Sequence, residues 1–161
     1  MKIVAKTDVG MVRESNQDSY TTGELPNGVA WAVVCDGMGG AAGGNVASST
    51  AVKVIAEQIT SSFRPGMSAK SIKNMMVSAI NAANISVYDI SCSNSELYGM
   101  GTTVVCAIVM EHTAYIAHAG DSRAYIVSHG ALTQLTRDHS VVQELVEHGK
   151  ITALEAKRHP N

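Results

Sequence analysis

The sequence predicts an α+β domain, because its strand-like and helix-like segments are grouped along the chain instead of alternating. One apolar run of strand length comes first, two helical patterns follow, and two hairpin patterns then precede short helical segments. A parallel sheet would require strands that alternate with helices, and this order is absent. The 161 residues suit a single domain, and a chain of this size buries about 70% of its unfolded surface.

Two segments in the first part of the chain are typical of strands. Residues 2–6 are predicted to form a short strand, and residues 29–35 form a continuous apolar run that ends abruptly at Asp36-Gly37. Alternate residues of a strand face opposite sides of the sheet, and here the residues of both sets are apolar, which indicates a strand buried on both faces. A buried helix would give the same pattern, so periodicity leaves both alternatives open.

Two longer helices are expected next. From Asn45 onward, apolar residues share one stripe at three- and four-residue spacing, namely Val46, Val52, Ile55, Ala56 and Ile59. Ser68 is a suitable N-cap for the second helix. Its apolar face comprises Ile72, Met75, Met76, Ala79, Ile80 and Ala83.

The remaining elements are two hairpins and a helical segment. Residues 102–110 and 113–119 are β-rich and separated by two residues, which predicts a tight hairpin. Residues 124–127 and 131–135 predict a second hairpin in the same way. A helical period then follows, and Gly149 is placed as the residue that ends it.

Composition excludes several classes of partner and site. The net charge is −2 with no basic run, so neither nucleic acid nor an anionic membrane is an expected partner. The three cysteines form no C-x-x-C pair and indicate neither a zinc site nor a disulfide framework; Cys35 and Cys106 are interpreted as small buried hydrophobes. The N-terminus lacks the pattern of a signal peptide, and no apolar run approaches about 18 residues. These features predict a soluble, cytoplasmic protein.

Asp36-Gly37 is the first candidate for chemistry. A carboxylate at the end of a buried strand is costly unless it meets water or a cation, and glycine lets a backbone carbonyl approach as a second ligand. Mg²⁺ and Mn²⁺ prefer such oxygen donors. On the dipeptide alone, however, an ordinary Asp-Gly turn is the favoured interpretation. The glycine-rich residues 37–44 lack the Lys-Ser/Thr of a phosphate-binding loop, so they do not indicate a nucleotide site.

Two further polar segments each allow a structural and a functional interpretation. Residues 16–18 are favoured as a solvated loop with an Asx-turn, although Asp18 would also suit a metal and Arg13 a phosphate. Residues 120–123 are equally consistent with a plain turn that pairs Asp121 with Arg123, or with an acid at a sheet rim beside a further metal.

The order of these motifs along the chain indicates a protein family, which no single motif does. Taken together, they closely resemble the bacterial branch of the metal-dependent protein phosphatases, the type 2C family; the matching segments are Thr7–Gly10, Val12-Arg13, Asn16–Asp18, Cys35–Gly40, Gly101–Thr103 and Gly120–Arg123. The resemblance implies an αββα sandwich of two antiparallel sheets flanked by helices. Residues 1–161 would be the N-terminal portion of a single domain of this type.

The resemblance also implies a site and an activity. Asp36 would bridge two Mn²⁺ or Mg²⁺ ions, the Gly37 carbonyl would bind one of them, and Asp18 would support the site. Asp121 would help to bind the third ion of bacterial relatives, and Arg13 would hold the substrate phosphate. Arg13 and Asp36 are therefore the expected catalytic residues, and the expected reaction is hydrolysis of phosphoserine and phosphothreonine in proteins by a metal-activated water.

The sequence departs from the family pattern in three ways. Gln17 stands where glutamate is frequent, which is expected to weaken an outer anchor of the site, and Met38 stands where some relatives have histidine. Two further metal-binding aspartates of the family are absent, so the domain is expected to be truncated and incomplete at its C-terminus.

The resemblance also implies partners, namely phosphorylated proteins, together with a serine/threonine kinase and its substrates. Two alternatives to an active enzyme are a non-catalytic fragment that binds phosphoprotein or metal, and a truncated domain that self-associates through open sheet edges.

Overall fold

The structure confirms the predicted α+β class. A computed structural model describes residues 1–156, 158 and 159, without the side chains of residues 41, 42 and 153. The chain divides into two compact units, Met1–His118 and Ala119–Asn161. The strands are β1 (Asp18–Leu25), β2 (Val29–Met38), β3 (Gly101–Thr102), β4 (Val104–Met110), β5 (Thr113–Ala119), β6 (Tyr125–Ser128) and β7 (Ala131–Gln134). The helices are α1 (Gly40–Ser62), α2 (Ala69–Ser93), α3 (Val141–Glu147) and α4 (Ala153–Ala156).

The first unit is built on one antiparallel sheet that two long helices cover on one side. Its strands follow the order β1-β2-β4-β5, and the short β3 pairs with the end of β2. The face toward α1 and α2, called here the inner face, carries alternate residues of β2 and β4 and forms the core with both helices. Its most deeply buried side chains are Val33, Cys35, Ile55, Ile59, Ile72, Met76, Cys106 and Ile108.

The two long helices form largely for the predicted reasons. Ser68 caps α2, since its hydroxyl accepts a hydrogen bond from the Ser71 N–H at 3.2 Å. Helix α1, however, begins at Gly40, ahead of the predicted start at Asn45. Glycine is a poor helix former, but close packing requires it at Gly44, where a Cβ would lie 2.2 Å from the Gln17 side-chain oxygen and 2.8 Å from the Gly37 carbonyl carbon. A Cβ on Gly37, in β2, would likewise lie 2.1 Å from the carbonyl oxygen of Gly44. The glycine-rich segment therefore lets the start of α1 approach the end of β2.

Two expectations about strands were wrong. Residues 2–6 form no strand, because an extended segment becomes one only through a backbone ladder and no described strand pairs with it. In addition, β2 is not buried on both faces. Its inner-face side chains are covered, whereas Val34 on the opposite, outer face is 48% exposed.

The second unit contains the predicted second hairpin and the short helices. Strands β6 and β7 pair through a two-residue turn in which His129 and Gly130 have φ of 50° and 78°, as hairpin turns matched to strand twist require. Ser140 caps α3 by accepting the Gln143 N–H at 3.2 Å. Gly149, with φ of 65°, ends that helix as predicted.

The two β-strand cysteines confirm their interpretation as small hydrophobes. Cys35 and Cys106 are each 0% exposed. Burial raises the pKa of both thiols to about 12, and for Cys106 the neighbouring Cys35 raises the pKa further in the same direction. Cys92, on α2, is exposed.

We therefore expect one of the three cysteines to react with a thiol reagent at pH 8 in the native protein, and all three after unfolding. A thiol whose pKa is raised remains protonated and unreactive at this pH, and burial also blocks access. Spectrophotometric titration with a disulfide reagent measures both values. In Cys92→Ser the native signal should disappear, while two thiols appear in denaturant. Rapid native reaction of Cys35 or Cys106 would contradict this assignment.

Candidate metal centre

The structure brings two of the candidate aspartates directly opposite each other. Strands β1 and β2 pair antiparallel in a register that aligns Asp18 with Asp36. Both residues are exposed and belong to the outer face, away from α1 and α2. Residues opposite one another on one face have Cβ atoms about 4.5–5.5 Å apart. Two carboxylates therefore project side by side into solvent at the end of the sheet.

The hydrogen bonds between β1 and β2 show which kind of cross-strand pair Asp18 and Asp36 form. The Gly37 N–H donates to the Gln17 carbonyl at 3.2 Å, and hydrogen-bonded and non-hydrogen-bonded pairs alternate along an antiparallel ladder. Asp18 and Asp36 consequently form a non-hydrogen-bonded pair, in which side chains approach more closely. The C=O of a strand residue points to the same side as its N–H, so the Gly37 carbonyl is directed toward the Gln17 end of β1.

The backbone of Asp36 is held by the segment between β3 and β4. Its N–H donates to the Thr103 hydroxyl at 3.1 Å, and its carbonyl accepts from the Thr103 N–H and the Thr102 hydroxyl, each at 2.9 Å. Thr103 is 3% exposed. Because the Thr103 hydroxyl replaces the usual carbonyl acceptor, the ladder is interrupted there. The Gly101–Thr103 motif thus fixes the main chain of Asp36 and leaves its carboxylate on the outer face.

The residues beside Asp18 are anchored in a similar way. The Asp18 N–H donates to the Asn16 side-chain oxygen at 2.9 Å, which is the predicted Asx-turn, and the Asn16 amide donates to the Asp8 carbonyl at 3.0 Å. The Gln17 amide donates to the Gly40 carbonyl at 2.7 Å. A glutamate could not make this last bond when ionised, since it has no proton to donate. Gln17 therefore connects the start of β1 to the start of α1.

The other predicted site residues belong to other segments of the chain. Arg13 lies exposed in the loop before β1, and its guanidinium forms no ion pair within the described part of the chain. Asp121 is exposed in the second unit, after Gly120. Arg123 is not paired with Asp121, as one interpretation held: its Nε and Nη2 donate to Asp138 at 2.8 and 2.6 Å. These bonds raise the pKa of Arg123, and they fix the turn because a carboxylate accepts both arms of the guanidinium.

The donor set suits a hard divalent cation. Two adjacent carboxylates carry like charges that repel each other, and a cation between them would neutralise both. Mg²⁺ in proteins is held by one or two carboxylates, with water completing its shell. Within the residues that the structure describes, no cluster contains three or more histidine, cysteine, aspartate or glutamate side chains arranged for a metal. The pair Asp18 and Asp36 therefore fits part of a Mn²⁺ or Mg²⁺ site.

Sequence reasoning gave no role to two residues that support this pair. Thr103 was recognised only as part of a motif, and Ser48 of α1 was not singled out. The hydroxyl of Ser48 donates to the Gln17 carbonyl at 2.7 Å. A buried serine within a helical stripe carries no local signal of such a contact, which depends on how the helix packs against β1.

Comparison with known sequences gives matches to one family. A family model described as Protein phosphatase 2C matches residues 12–156. A putative protein phosphatase 2C-type of Streptococcus pyogenes is 39% identical over 160 residues, which cover 99% of this chain and 64% of that protein.

Solved structures agree with the sequence match. The chain is similar to the crystal structure of serine/threonine phosphatase Stp1 from Staphylococcus aureus, with a TM-score of 0.83 and 38% identity over 96% of this chain and 60% of that one. It is also similar to the catalytic domain of serine threonine protein phosphatase PstP in complex with two manganese ions, with a TM-score of 0.79 and 34% identity over 94% and 61% of the two chains. The chain thus spans about three fifths of the length of the relatives it matches.

Proposed function

This chain belongs to the protein phosphatase 2C family, and on that basis we propose that the whole protein hydrolyses phosphoserine and phosphothreonine in proteins with the help of Mn²⁺ or Mg²⁺. The observation that supports this most directly is the alignment of Asp18 with Asp36 on the exposed face of the sheet. Two adjacent carboxylates repel each other on a metal-free surface, whereas a cation bound between them would neutralise both charges. The PstP structure, which contains two manganese ions, supports the same choice of cation.

Each residue has a separate task in this proposal. Asp36 would hold the cations, Asp18 would support the site beside it, and the Gly37 carbonyl would supply a further oxygen. Arg13 holds the phosphate through the planar fork of its guanidinium. Bound Mn²⁺ or Mg²⁺ would lower the pKa of a coordinated water and stabilise negative charge on the phosphoryl oxygens. The protein side chains would orient the cations and the phosphate without forming a covalent bond to phosphorus.

The proposal also covers a third cation site, the substrates, the domain and the cellular location. Asp121 would contribute to a third cation site, and the substrates would be phosphorylated proteins that include those of a serine/threonine kinase. Among the described residues, no helix has both the length and the apolar character needed to cross a bilayer. We further propose that residues 1–161 are the N-terminal portion of one phosphatase domain and that the protein works in the cytoplasm.

Self-association is a second candidate property. Strands β1 and β5 stand at the two ends of the described sheet order, and Tyr20 and Val34 on the outer face are 42% and 48% exposed. Unpaired strand edges and exposed apolar side chains favour contact with another chain. Light scattering across a concentration series would detect this, and a constant monomer mass would exclude it.

The test of the proposed function is hydrolysis of p-nitrophenyl phosphate and of a phosphothreonine peptide by the whole protein. We expect turnover that requires Mn²⁺ or Mg²⁺, disappears with a chelator and returns when the cation is restored. Glu24→Gln should retain full activity, because Glu24 is exposed on the outer face at the far end of β1. Hydrolysis that is indifferent to the chelator, or no hydrolysis with any divalent cation, would contradict the proposal.

A further inference from the structure

Ser48 differs from three other hydroxyl side chains of helix α1 in where its hydrogen bonds go. Ser49, Thr60 and Ser61 each donate to the carbonyl four residues earlier in the helix, at 2.6, 2.7 and 2.6 Å, which is the common arrangement for helical hydroxyls. The shortest bond of Ser48 instead leaves the helix and reaches the Gln17 carbonyl at 2.7 Å; its distance to the Asn45 carbonyl is 3.4 Å. Ser48 is also completely buried, with 0% exposure.

The contacts of Ser48 form a short chain of hydrogen bonds to β1. A hydroxyl has one proton, so Ser48 donates to Gln17 and accepts from the Ser19 hydroxyl, which lies 2.9 Å away. Gln17 and Ser19 are the two residues that flank Asp18. Because side chains alternate along a strand, anchoring these neighbours from the helix side leaves Asp18 directed to the outer face.

From this geometry we infer that Ser48 is a positioning residue for Asp18, and therefore for cation binding at the Asp18–Asp36 pair. The inference rests on the proposed function, since it assigns Ser48 to the same site. Ser48 itself would contact neither cation nor substrate. It holds the Gln17 carbonyl, which also accepts the Gly37 N–H. One buried hydroxyl thus fixes the residue before Asp18 and, through it, the residue after Asp36.

Loss of the Ser48 hydroxyl is expected to weaken the affinity for Mn²⁺. Groups that orient metal ligands without touching the metal typically contribute about 10–100-fold to metal affinity. Removing the Ser48 hydroxyl leaves the Gln17 carbonyl with the Gly37 donor, so the start of β1 loosens without losing its ladder. We expect the dissociation constant for Mn²⁺ to rise about tenfold in Ser48→Ala. Ser49→Ala is the matched control, because that serine bonds only within α1.

A double-mutant cycle on the Mn²⁺ dissociation constant tests the inference in the whole protein. Free Mn²⁺ is measured by electron paramagnetic resonance up to millimolar concentration, so that weak binding to Asp18→Asn remains measurable. Far-ultraviolet circular dichroism verifies that each variant is folded. If Ser48 acts through Asp18, Ser48→Ala should change the constant less than about twofold once Asp18→Asn is present. Ser19→Ala, which removes the outer bond of the chain, should give a smaller increase than Ser48→Ala.

Each outcome has one meaning. Mn²⁺ affinity in Ser48→Ala equal to that of Ser49→Ala would overturn the inference while leaving the proposed function intact. The same tenfold loss in the Asp18→Asn background would show that Ser48 acts on the protein in general and not through Asp18, which also overturns it. Failure of the wild-type protein to bind Mn²⁺ would overturn the proposed function and the inference together.

Discussion

Replacing Asp36 with asparagine is expected to lower kcat for Mn²⁺-dependent hydrolysis by about 10³-fold or more. Asp36 is the proposed bridging ligand, and a neutral amide cannot balance the charge of two cations. A thousandfold change corresponds to about 4 kcal/mol of transition-state stabilisation, which is within what metal-ion catalysis supplies. Steady-state kinetics at saturating Mn²⁺ measure the change. Glu24→Gln is the matched control, because it removes one negative charge from the same face of the sheet.

The same substitution should have the opposite effect on the metal-free protein. Like charges directly opposite on neighbouring strands are destabilising. Asp36→Asn removes one of two facing carboxylates, so the free energy of unfolding in chelator should rise by about 0.2–1 kcal/mol. Addition of Mn²⁺ should stabilise the wild-type protein and have little effect on the variant. Unchanged kcat, or a variant less stable than wild type without metal, would contradict the assignment of Asp36.

Gly37→Ala is expected to lower the free energy of unfolding by about 3 kcal/mol or more. An added Cβ would lie 2.1 Å from the Gly44 carbonyl oxygen, 2.5 Å from the Gly44 carbonyl carbon and 2.8 Å from the Gln17 carbonyl oxygen. All three atoms belong to the backbone, so no side-chain rotation relieves the overlap. Helix α1 or the start of β1 would have to move.

The control for this prediction lies on the neighbouring strand. Gly101 pairs with Met38, one position from the pairing of Gly37 with Thr102. A Cβ on Gly101 would meet only the Met38 side chain at 3.6 Å, which is an ordinary contact, so Gly101→Ala should cost far less. Urea unfolding followed by Trp31 fluorescence measures both variants, since that indole is 5% exposed in the folded chain. Equal stability of the two variants would show that the approach of α1 to β2 is looser than the structure indicates.

Elements governed by local chemistry were predictable from the sequence. The N-cap at Ser68 and the helix-ending Gly149 act within a few residues of their own helices, and both were confirmed. The start of α1 was missed because local propensity disfavours glycine, whereas the contact between Gly37 and Gly44 requires it. The strand expected at residues 2–6 depended on a partner strand, which no short pattern identifies.

The candidate site was predictable only in part for the same reason. Asp18 and Asp36 were named individually through resemblance to a family, but their alignment depends on the register of β1 against β2. Asp36-Gly37 by itself favoured a turn, and the structure places it inside a strand. The supporting contacts of Ser48 and Thr103 connect residues far apart in the chain, so their roles appear only when the elements are packed.

The sidedness of the sheet has a consequence for how such a protein can change over many generations. The groups that hold the two aspartates, among them Ser48 and Thr103, are buried, whereas the carboxylates themselves face solvent. Exposed residues around the pair can therefore be exchanged, altering which molecules dock there, without disturbing the geometry of the two proposed ligands. Selection can act on recognition and on chemistry almost independently, and descendants of one ancestor can acquire new targets while keeping the same reaction.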